Sequence, residues 1–438
     1  MGLKVLKFGG TSMADASSIK RVCEIVKEDP ERRFVIVSAP GKRFKTDKKV
    51  TDLLYVCYHD IELANECRVT FSKIRDRFLE IASDLNLDFD IASYLHETEN
   101  DMLKYRTADF CASRGEYLSA LVLSKALGYE FIDATELIVF NEEGEWQKEA
   151  TNLKIRKRLK NVKYAVIPGF YGMDEFDNIK TFSRGGSDIT GAIIAGALEA
   201  DVYENWTDVN GFMVADPRII ENPKRISTLT YRELRELAYM GADVLHPESI
   251  FPVRKLSIPI NIRNTFEKDN PGTRIVSNIG ECNMEETITG IAGRKGYSII
   301  YIEKSMMNSE LGFARKVLSI LETFGISFEH MPSGIDTISV VIAESDLGIN
   351  TEKLIKTIKE TVSPDKIEII NDIAIIAVVG HGMSNKVGTA SIIFTALAKA
   401  NINIRMIDQG SSELNIILGV QSSDYENAIK AIYKAFIK

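Results

Sequence analysis

The sequence predicts an α/β protein with a mostly parallel central sheet sandwiched by helices, followed by two smaller ferredoxin-like modules of βαββαβ order. Between positions 1 and 280, segments with the two-residue period of strands alternate with segments of helical period. That alternation is typical of a parallel sheet with helices on both faces. A short polar and acidic stretch at 277–286 separates this pattern from a different one. We therefore expect one domain over 1–280 and a second region over 281–438.

The first domain repeats the order of strand, glycine turn or loop, and helix. Residues 3–8 alternate as a buried strand does, Gly9-Gly10 ends this strand, and the helix that follows stops at Asp29-Pro30. A second apolar strand at 34–38 runs into a basic loop over 39–49. The remaining predicted elements are helices over 51–127, strands at 129–133, 164–168 and 201–206, and a glycine-rich turn at 183–187 that begins another helix.

The second region contains an internal duplication. Gly312 precedes Ile326-Ser327 by the same separation at which Gly388 precedes Ile402-Asn403, with a helical apolar face between them in both cases. Each copy then continues into a strand and another helix. Two copies of a β-α-β-β-α unit predict a pair of ferredoxin-like modules. The predicted modules cover about 298–370 and 373–438.

Composition excludes several kinds of partner and site. The net charge of −8, from 54 basic and 62 acidic residues, repels nucleic acid phosphates and anionic lipid. No apolar run approaches the ~18 residues that a membrane span needs. The five cysteines are scattered and never spaced as a metal pair, which argues against disulfides and zinc. With no secretory signal in the sequence, we expect a cytoplasmic protein that has no nucleic acid partner, no membrane partner and no metal site of its own.

Lys7-Phe8-Gly9-Gly10-Thr11-Ser12 is the first motif that carries chemistry. Alternation places Lys7 at the carboxyl end of a buried strand, where open α/β sheets bind their ligands. The two glycines allow close backbone approach, and the amides of such a turn can cradle phosphate oxygens. The motif is neither a Walker loop nor the dinucleotide pattern. Taken alone, it fits a tight turn with a partly exposed lysine equally well.

Two further motifs follow strands or begin helices. In Ser183-Arg184-Gly185-Gly186-Ser187-Asp188, Ser187 fits a helix N-cap and Asp188 complements the helix dipole, so both have a structural explanation. Arg184 does not, because a guanidinium beside free backbone donors suits a carboxylate or a phosphate. The third motif, 206–211 followed by Asp216-Pro217-Arg218, again places polar groups after a strand. An Asn-Gly turn is the simpler interpretation of that segment alone.

Together with two other segments, these motifs resemble those of the amino acid kinase family, and specifically of its aspartokinases. In chain order the matching segments are KFGGTS at 7–12, SRGEYLSA at 113–120, SRGGSD at 183–188, WTDVNGFMVADPR at 206–218 and VLHP at 244–247. The resemblance covers nearly the whole chain, because aspartokinases carry two ACT modules after the kinase domain. It implies that 1–280 is an amino acid kinase domain and that two ACT modules follow, intertwined through 287–297.

The resemblance also implies roles for individual residues. Lys7 would face the transferring phosphoryl group, and Asp188 would orient this lysine. Glu116 would receive the α-ammonium group of the substrate, and Arg184 its α-carboxylate. The implied substrate contacts are completed by Ser38, Thr51 and Ser187. The implied nucleotide contacts are Gly9, Gly10, Thr11, Ser12, Thr207, Asp208, Met213 and Arg218.

The activity implied by the resemblance is phosphorylation of the L-aspartate β-carboxylate to 4-phospho-L-aspartate, with ATP and Mg²⁺, at the entry to lysine, threonine and methionine synthesis. The attacking carboxylate is already ionised at neutral pH, so no general base is needed. Catalysis then reduces to aligning the reactants and neutralising charge on the phosphoryl group. Two alternatives stay open, a kinase of glutamate or acetylglutamate and a non-catalytic amino acid sensor.

Two positions depart from the commonest family pattern. Met213 stands where many members have a tyrosine, and Asp243 where many have a lysine. An anion near phosphates means either that Asp243 points elsewhere or that Mg²⁺ and the backbone hold the nucleotide. His246 is interpreted as structural, because transfer to a carboxylate leaves no proton to abstract. Without the resemblance, Glu116 is simply an exposed helix glutamate.

The ACT modules are expected to bind a feedback amino acid. The resemblance implies an interface between paired modules, in a homodimer or homotetramer, and lysine as the effector, alone or together with threonine. Glu329 and Asp336 could hold a cationic side chain or an α-ammonium group, although a solvated acidic turn explains them as well. The expected contacts are Met307, Asn308, Ser309, Gly312, Phe313, Ser327, Phe328, Glu329, Ser333 and Asp336.

Overall fold

The computed structural model describes residues 2–183, 185–242, 244–245, 247–278, 280, 282 and 286–437. The chain divides into two units. The first comprises Met1–Phe212, Arg225–Leu234 and Asp243–Cys282, and the second comprises Met213–Lys224, Arg235–Ala242 and Asn283–Lys438.

The first predicted domain contains both strands and helices in mixed order, with four consecutive helices between the second and third strands, which confirms the predicted α/β class. The strands are β1 (Lys4–Phe8), β2 (Arg32–Val37), β3 (Glu130–Phe131), β4 (Ala165–Pro168), β5 (Tyr171–Met173), β6 (Ile179–Thr181), β7 (Val202–Thr207), β8 (Thr228–Thr230), β9 (Ile260–Asn264) and β10 (Thr273–Val276). The helices are α1 (Ala16–Lys27), α2 (Val50–Ala64), α3 (Arg68–Asp84), α4 (Ile91–Tyr105), α5 (Ala108–Leu127), α6 (Lys148–Leu159), α7 (Gly186–Ala197), α8 (Tyr231–Tyr239) and α9 (Phe251–Arg254). Within the described ranges, no helix is both long and apolar enough to cross a bilayer.

Eight strands form one sheet in the order β3-β4-β2-β1-β7-β9-β10-β8. Neighbouring strands are parallel except for β9 and β10, while β5 and β6 form a separate antiparallel hairpin. The central strand β1 lies between β2 and β7, so the carboxyl ends of these parallel strands meet at one edge of the sheet. The residues that directly follow β1, β2, β4 and β7 are Gly9, Ser38, Gly169 and Asp208.

Polar residues inside the central strands are paired with one another. Strands buried on both faces are almost continuously apolar, and a polar side chain in one of them needs a partner. Glu204 of β7 lies 3.0 Å from the guanidinium of Arg32, and its carboxylate also accepts the indole N–H of Trp206 at 2.9 Å. This buried ion pair explains why the otherwise apolar strands contain the charged residues Arg32 and Glu204.

Helix α5 is buried along most of its length and packs close to the end of β2. The Thr107 hydroxyl accepts a backbone N–H of its first turn at 3.2 Å, and Gly128 ends it with a φ of 73°, a conformation that favours glycine. A Cβ on Gly115 would lie 2.6 Å from the Cβ of Ala39. The absence of a side chain at Gly115 thus lets the helix bring Glu116 to the edge of the sheet.

One antiparallel sheet of five strands organises the second unit. Its strands are β11 (Gly290–Glu303), β12 (Thr337–Ala343), β13 (Lys366–Val379), β14 (Ile404–Asp408) and β15 (Asn415–Gln421). They pair in the order β12-β11-β13-β15-β14. Its helices are α10 (Phe313–Thr323), α11 (Glu344–Leu347), α12 (Thr351–Val362), α13 (Thr389–Lys399) and α14 (Tyr425–Phe436).

The two long strands β11 and β13 each serve both modules. The second half of β11, from Tyr297, pairs with β12 and with the first half of β13. The first half of β11, from Gly290 to Lys295, pairs instead with the second half of β13, which also pairs with β15. The second module therefore takes a strand from residues that precede the first module, and the first module is inserted into it.

Equivalent positions of the duplicated modules adopt similar conformations. Gly312 and Gly388 each precede a helix with positive φ, 77° and 91° respectively. The next strand is β14 in the second module, whereas in the first module it is reduced to isolated bridges at His330 and Ser333.

Two segments of the first predicted domain, Met213–Lys224 and Arg235–Ala242, belong to the second unit. The boundary predicted at position 280 does not account for them. Ile219 joins the hydrophobic core of the second module, and the Val214 carbonyl accepts the Ile291 N–H at 2.6 Å. A Cβ on Gly290 would lie 2.8 Å from the Leu237 side chain. These are contacts between residues far apart in sequence, which local composition does not reveal.

Candidate active site

Lys7 ends in an ion pair at the carboxyl edge of the large sheet. Its Nζ lies 2.6 Å from Oδ1 of Asp188, in the first turn of α7, and the Lys7 side chain is 10% exposed. Asn205 of the neighbouring strand β7 donates to the same oxygen at 2.8 Å, because the sheet register places it beside Lys7. A charge-assisted contact of this kind holds the ammonium group at one defined position.

Gly9 and Gly10 form a tightly packed turn beside this ammonium group. A Cβ on Gly9 would lie 3.6 Å from Nζ of Lys7, and one on Gly10 would lie 3.0 Å from the carbonyl oxygen of Ala39. Residues Gly10–Met13 form a single 3-10 turn, and the first amides of a helical turn have no partner within it. Backbone donors and a lysine ammonium therefore lie together, which is an arrangement suited to phosphate oxygens.

Asp208 brings the third motif to the same turn. Its carboxylate accepts the hydroxyl of Thr11 at 3.0 Å and that of Thr207 at 3.2 Å. Ser12 is buried instead, and its hydroxyl shares a hydrogen bond of 2.7 Å with Thr265. The hydroxyls of Thr11 and Thr207 thus lie on the solvent side of the turn, while Ser12 supports the turn from inside the protein.

Glu116 is a buried carboxyl group with one unused oxygen. The residue is 5% exposed, so the alternative of an exposed helix glutamate is wrong. The backbone amide of Ala39 lowers the pKa of the carboxyl group, and Oε2 is buried without a partner among the described residues. Burial raises the pKa of Glu116 to about 8, against smaller opposing effects of the Ala39 amide and Lys7. A cation that binds beside such a buried carboxyl group stabilises its charged form.

Three other predicted substrate residues lie at strand or helix ends. Ser38 follows β2 and donates its N–H to the last residue of β1 at 3.1 Å, and Thr51 lies in the first turn of α2. Ser187 packs against Gly169, where a Cβ would come within 2.6 Å of it. The expected N-cap role of Ser187 is wrong, because Gly185, with a φ of 58°, occupies the cap position.

Arg184, Asp243 and His246 lie outside the described residues, so the substrate role of Arg184 and the interpretations of the other two stay predictions. Two predicted nucleotide contacts, Met213 and Arg218, belong to the second unit. The Arg218 side chain is 83% exposed, and its guanidinium lies 2.6 Å from the carboxylate of the neighbouring aspartate, two residues earlier in the chain.

Comparison with known proteins decides the family. The amino acid kinase family matches residues 2–264, and an ACT domain family matches residues 376–436. Aspartokinase 3 of Bacillus subtilis (strain 168) is 37% identical over 449 residues, which cover 99% of this chain and 98% of that protein. The chain belongs to the aspartokinases of the amino acid kinase family.

Other aspartokinases extend the comparison. The crystal structure of Clostridium acetobutylicum aspartate kinase superposes with a TM-score of 0.91 at 50% identity and covers 100% of both chains. Bifunctional aspartokinase/homoserine dehydrogenase 1 of Zea mays is 30% identical over 99% of this chain. The chain spans about half, 50%, of the length of that bifunctional relative.

An aspartokinase is a phosphotransferase, and the residues at the glycine turn fit a nucleotide with its Mg²⁺. Among the described residues, no three His, Cys, Asp or Glu side chains lie close enough together to hold a metal alone. Magnesium bound with phosphates keeps several waters and takes only one or two carboxylates. Asp208, whose carboxylate accepts the Thr11 hydroxyl beside the turn, would fit this requirement.

The predicted effector residues of this aspartokinase lie on neighbouring segments of the first ACT module. The N–H of Asn308 donates to the carbonyl of Ile335 at 3.2 Å, which places the turn at 307–309 beside Asp336. Met307 and Phe313 are buried in the module core. The exposed members of the predicted set are Asn308, Ser309, Gly312, Ser327, Phe328, Ser333 and Asp336.

Glu329 has a partner that the sequence did not suggest. The hydroxyl of Tyr239, at the end of α8, donates to Oε2 of Glu329. Burial and this contact raise the pKa of Tyr239 well above its ordinary value. Glu329 is therefore held in place by its tyrosine partner and is not a freely solvated acid.

Three groups at the active-site edge were missed by sequence reasoning. Phe170 follows β4 with a φ of 80°, a conformation that is rare for an aromatic residue and is found preferentially at functional sites. Asn205 could have been found, because it is a polar residue inside an apolar strand. The amide of Ala39 and the backbone angle of Phe170 have no signal in the sequence.

Glu116→Gln should make the stability of the unliganded chain less dependent on pH. Because the folded-state pKa of about 8 lies above the ordinary 4.5, protonation stabilises the fold below about pH 4.5, and that stability is lost as pH rises to 8. As pH rises from 5 to 8, the free energy of unfolding of wild type should fall by on the order of 3 kcal/mol relative to that of the glutamine variant, as measured by urea unfolding. Glu360→Gln, at a side chain 67% exposed, is the control. Parallel profiles for wild type and Glu116→Gln would contradict the burial argument.

Proposed function

We propose that this chain transfers the γ-phosphoryl group of ATP to the β-carboxylate of L-aspartate and forms 4-phospho-L-aspartate. The observation that carries the proposal is the buried Oε2 of Glu116, which has no partner among the described residues, near the strand ends where Lys7 pairs with Asp188. An acceptor site for an ammonium group and a fixed cation beside a phosphate-binding turn are the two halves of an amino acid kinase site. Membership of the aspartokinases supports aspartate as the amino acid.

Glu116 is proposed to bind the α-ammonium group of aspartate. In the unliganded chain the carboxyl group is protonated at neutral pH, since burial raises its pKa to about 8. An arriving ammonium ion stabilises the carboxylate, so the proton leaves as the substrate binds. Ser38, Thr51 and Ser187 are proposed to border the same substrate, and Arg184 to bind its α-carboxylate.

Lys7 is proposed to neutralise charge that develops on the migrating phosphoryl group. Asp188 and Asn205 hold the ammonium through the contacts at 2.6 Å and 2.8 Å, so no reorganisation is needed when the phosphoryl group moves. The β-carboxylate is itself the nucleophile and needs no base. The chain therefore contributes alignment and charge.

The nucleotide is proposed to lie on the glycine turn. The amides at Gly9 and Gly10 would donate to phosphate oxygens, and Thr11, Ser12, Thr207 and Asp208 form or support that side of the site. Bound Mg²⁺ would neutralise phosphate charge, and Asp208 would be its carboxylate ligand. Met213 and Arg218 are assigned to the nucleotide on the motif alone.

The proposed reaction is the first step of lysine, threonine and methionine biosynthesis, in the cytoplasm. Feedback is proposed to act through the ACT modules, with lysine as the effector, alone or together with threonine. The exposed set around Asn308 and Asp336, with Glu329 beside it, is the proposed effector site. A homodimer or homotetramer would form through these modules.

The activity is tested by a hydroxamate assay with aspartate, glutamate and acetylglutamate as acceptors. We expect acyl phosphate with aspartate. Lys7→Ala should lower kcat about a hundredfold or more with little change in the KM for aspartate, because its charge acts as the phosphoryl group leaves. Glu116→Gln should chiefly raise that KM, about tenfold or more. No product from a nucleotide-binding wild type would favour a sensor, and the reverse kinetic pattern would reject the assigned roles.

Aspartate binding should release about one proton at pH 7, because Glu116 loses its proton to the solvent as the ammonium arrives. Titration calorimetry in buffers of different ionisation enthalpy measures this number. Affinity for aspartate should rise with pH up to about pH 8 and then level off. In Glu116→Gln, the proton release should disappear. An equal release in wild type and variant would show that another group responds to the substrate.

Millimolar lysine, alone or with threonine, should inhibit the wild-type enzyme. Glu329→Gln should raise the lysine concentration for half inhibition about tenfold, because a carboxylate contact to the effector's cation is lost. The same substitution at exposed Glu360 should have no effect. Activity that is insensitive to lysine under both conditions would reject this effector.

A further inference from the structure

The charged part of the loop after β2, residues 42–49 and from here on called the basic loop, has no role in the function proposed so far. It carries five basic side chains and one acidic side chain in a chain whose net charge is −8. The basic residues are exposed to solvent. In order they are Lys42, Arg43, Lys45, Lys48 and Lys49, and the acid is Asp47.

Gly41, the residue that precedes the basic loop, contacts the glycine turn directly. The N–H of Gly41 donates to the carbonyl of Gly10 at 2.7 Å. A Cβ on Gly41 would lie 2.6 Å from the carbonyl carbon of Gly10 and 2.8 Å from the nitrogen of Thr11, so only glycine fits there. Lys42 is joined to Gly41 by one peptide bond and therefore leaves the backbone beside the proposed phosphate site.

Both ends of the basic loop are fixed by backbone contacts. The N–H of Val50 donates to the carbonyl of Pro40 at 3.0 Å and closes the loop at its base. Arg77, which is 4% exposed, donates to the carbonyl of Gly41 and, at 3.2 Å, to that of Lys48. A loop held at its base presents its side chains from a defined place, so less ordering is needed when a ligand binds.

Only one cation of the basic loop is neutralised by the described protein. Arg43 lies 2.9 Å from Asp47 and 3.2 Å from Glu80. The four lysines form no ion pair with any described residue, while Asp47 is already shared with Arg43 and Arg77. Like charges this close to one another repel, and a bound anion relieves that repulsion.

The glycine turn itself offers little net positive charge. Lys7 is paired with Asp188, and Asp208 adds a second carboxylate, which accepts the Thr11 hydroxyl. These three side chains sum to one negative charge, and a nucleoside triphosphate remains an anion even after it has bound the proposed Mg²⁺. Cations from outside the turn would lower the electrostatic cost of bringing the triphosphate there.

We propose that the basic loop is a second phosphate-binding element and that Lys42 contributes its main contact to the nucleotide polyphosphate. The inference rests on the proposed function, because it takes a nucleoside triphosphate as the ligand of the glycine turn. Lys45, Lys48 and Lys49 add positive potential around it. Adenosine, which has no phosphates, is not recognised by the loop.

The test measures ATP and adenosine binding to the full chain by calorimetry at several salt concentrations. Lys42→Gln should weaken ATP binding about tenfold, leave adenosine binding unchanged and flatten the salt dependence of the ATP Kd. Lys42→Arg should retain most of the affinity. Lys356→Gln, at a lysine 75% exposed in the second unit, is the control and should match wild type. The KM for aspartate should not change.

Three results would overturn the inference. The first is an ATP affinity equal to that of wild type both in Lys42→Gln and in the variant with all four lysines replaced by glutamine. The second is an equal loss of affinity for ATP and for adenosine, which would indicate altered structure instead of lost charge. The third is a raised KM for aspartate with unchanged ATP affinity. A wild-type chain that binds no ATP would instead overturn the proposed function, so the two failures are distinguishable.

Discussion

A lysine ammonium group held at the end of a buried strand needs a fixed counter-charge, and the Lys7–Asp188 ion pair at 2.6 Å meets that need. The contact joins the central strand β1 to the start of α7, and Asn205 adds the neighbouring strand β7. A Cβ on Gly9 of the glycine turn would lie 3.6 Å from the same nitrogen. The sheet, the helix and the turn proposed to bind phosphate are thus arranged around one charge.

Glu116 contrasts with Lys7 in how its charged group is paired. Lys7 has its partner in the unliganded protein, whereas Glu116 keeps one buried oxygen without any among the described residues. Burial raises its pKa to about 8, so the charged form is unfavourable in the free protein, and the proposed substrate ammonium would remove that cost. The close approach of α5 to β2 at Gly115 creates this burial. The proposed substrate recognition and the helix packing therefore depend on the same contact.

The sequence predicted the parts of this account that follow local rules. Alternating periods gave the α/β order, the duplication at Gly312 and Gly388 gave two modules, and Lys7 was placed at a strand end. The insertion of one module into the other depends on pairing between 290–295 and 374–379, which no local pattern encodes. The burial of Glu116 and the left-handed backbone of Phe170 likewise arise only from tertiary packing.

The most direct test of the central claim is a crystal structure of the full chain with L-aspartate, Mg²⁺ and a non-hydrolysable ATP analogue. The account predicts the aspartate ammonium within hydrogen-bonding distance of Oε2 of Glu116 and the terminal phosphoryl group within hydrogen-bonding distance of Nζ of Lys7. An aspartate bound with its ammonium group away from Glu116, or a polyphosphate bound away from the glycine turn, would contradict it.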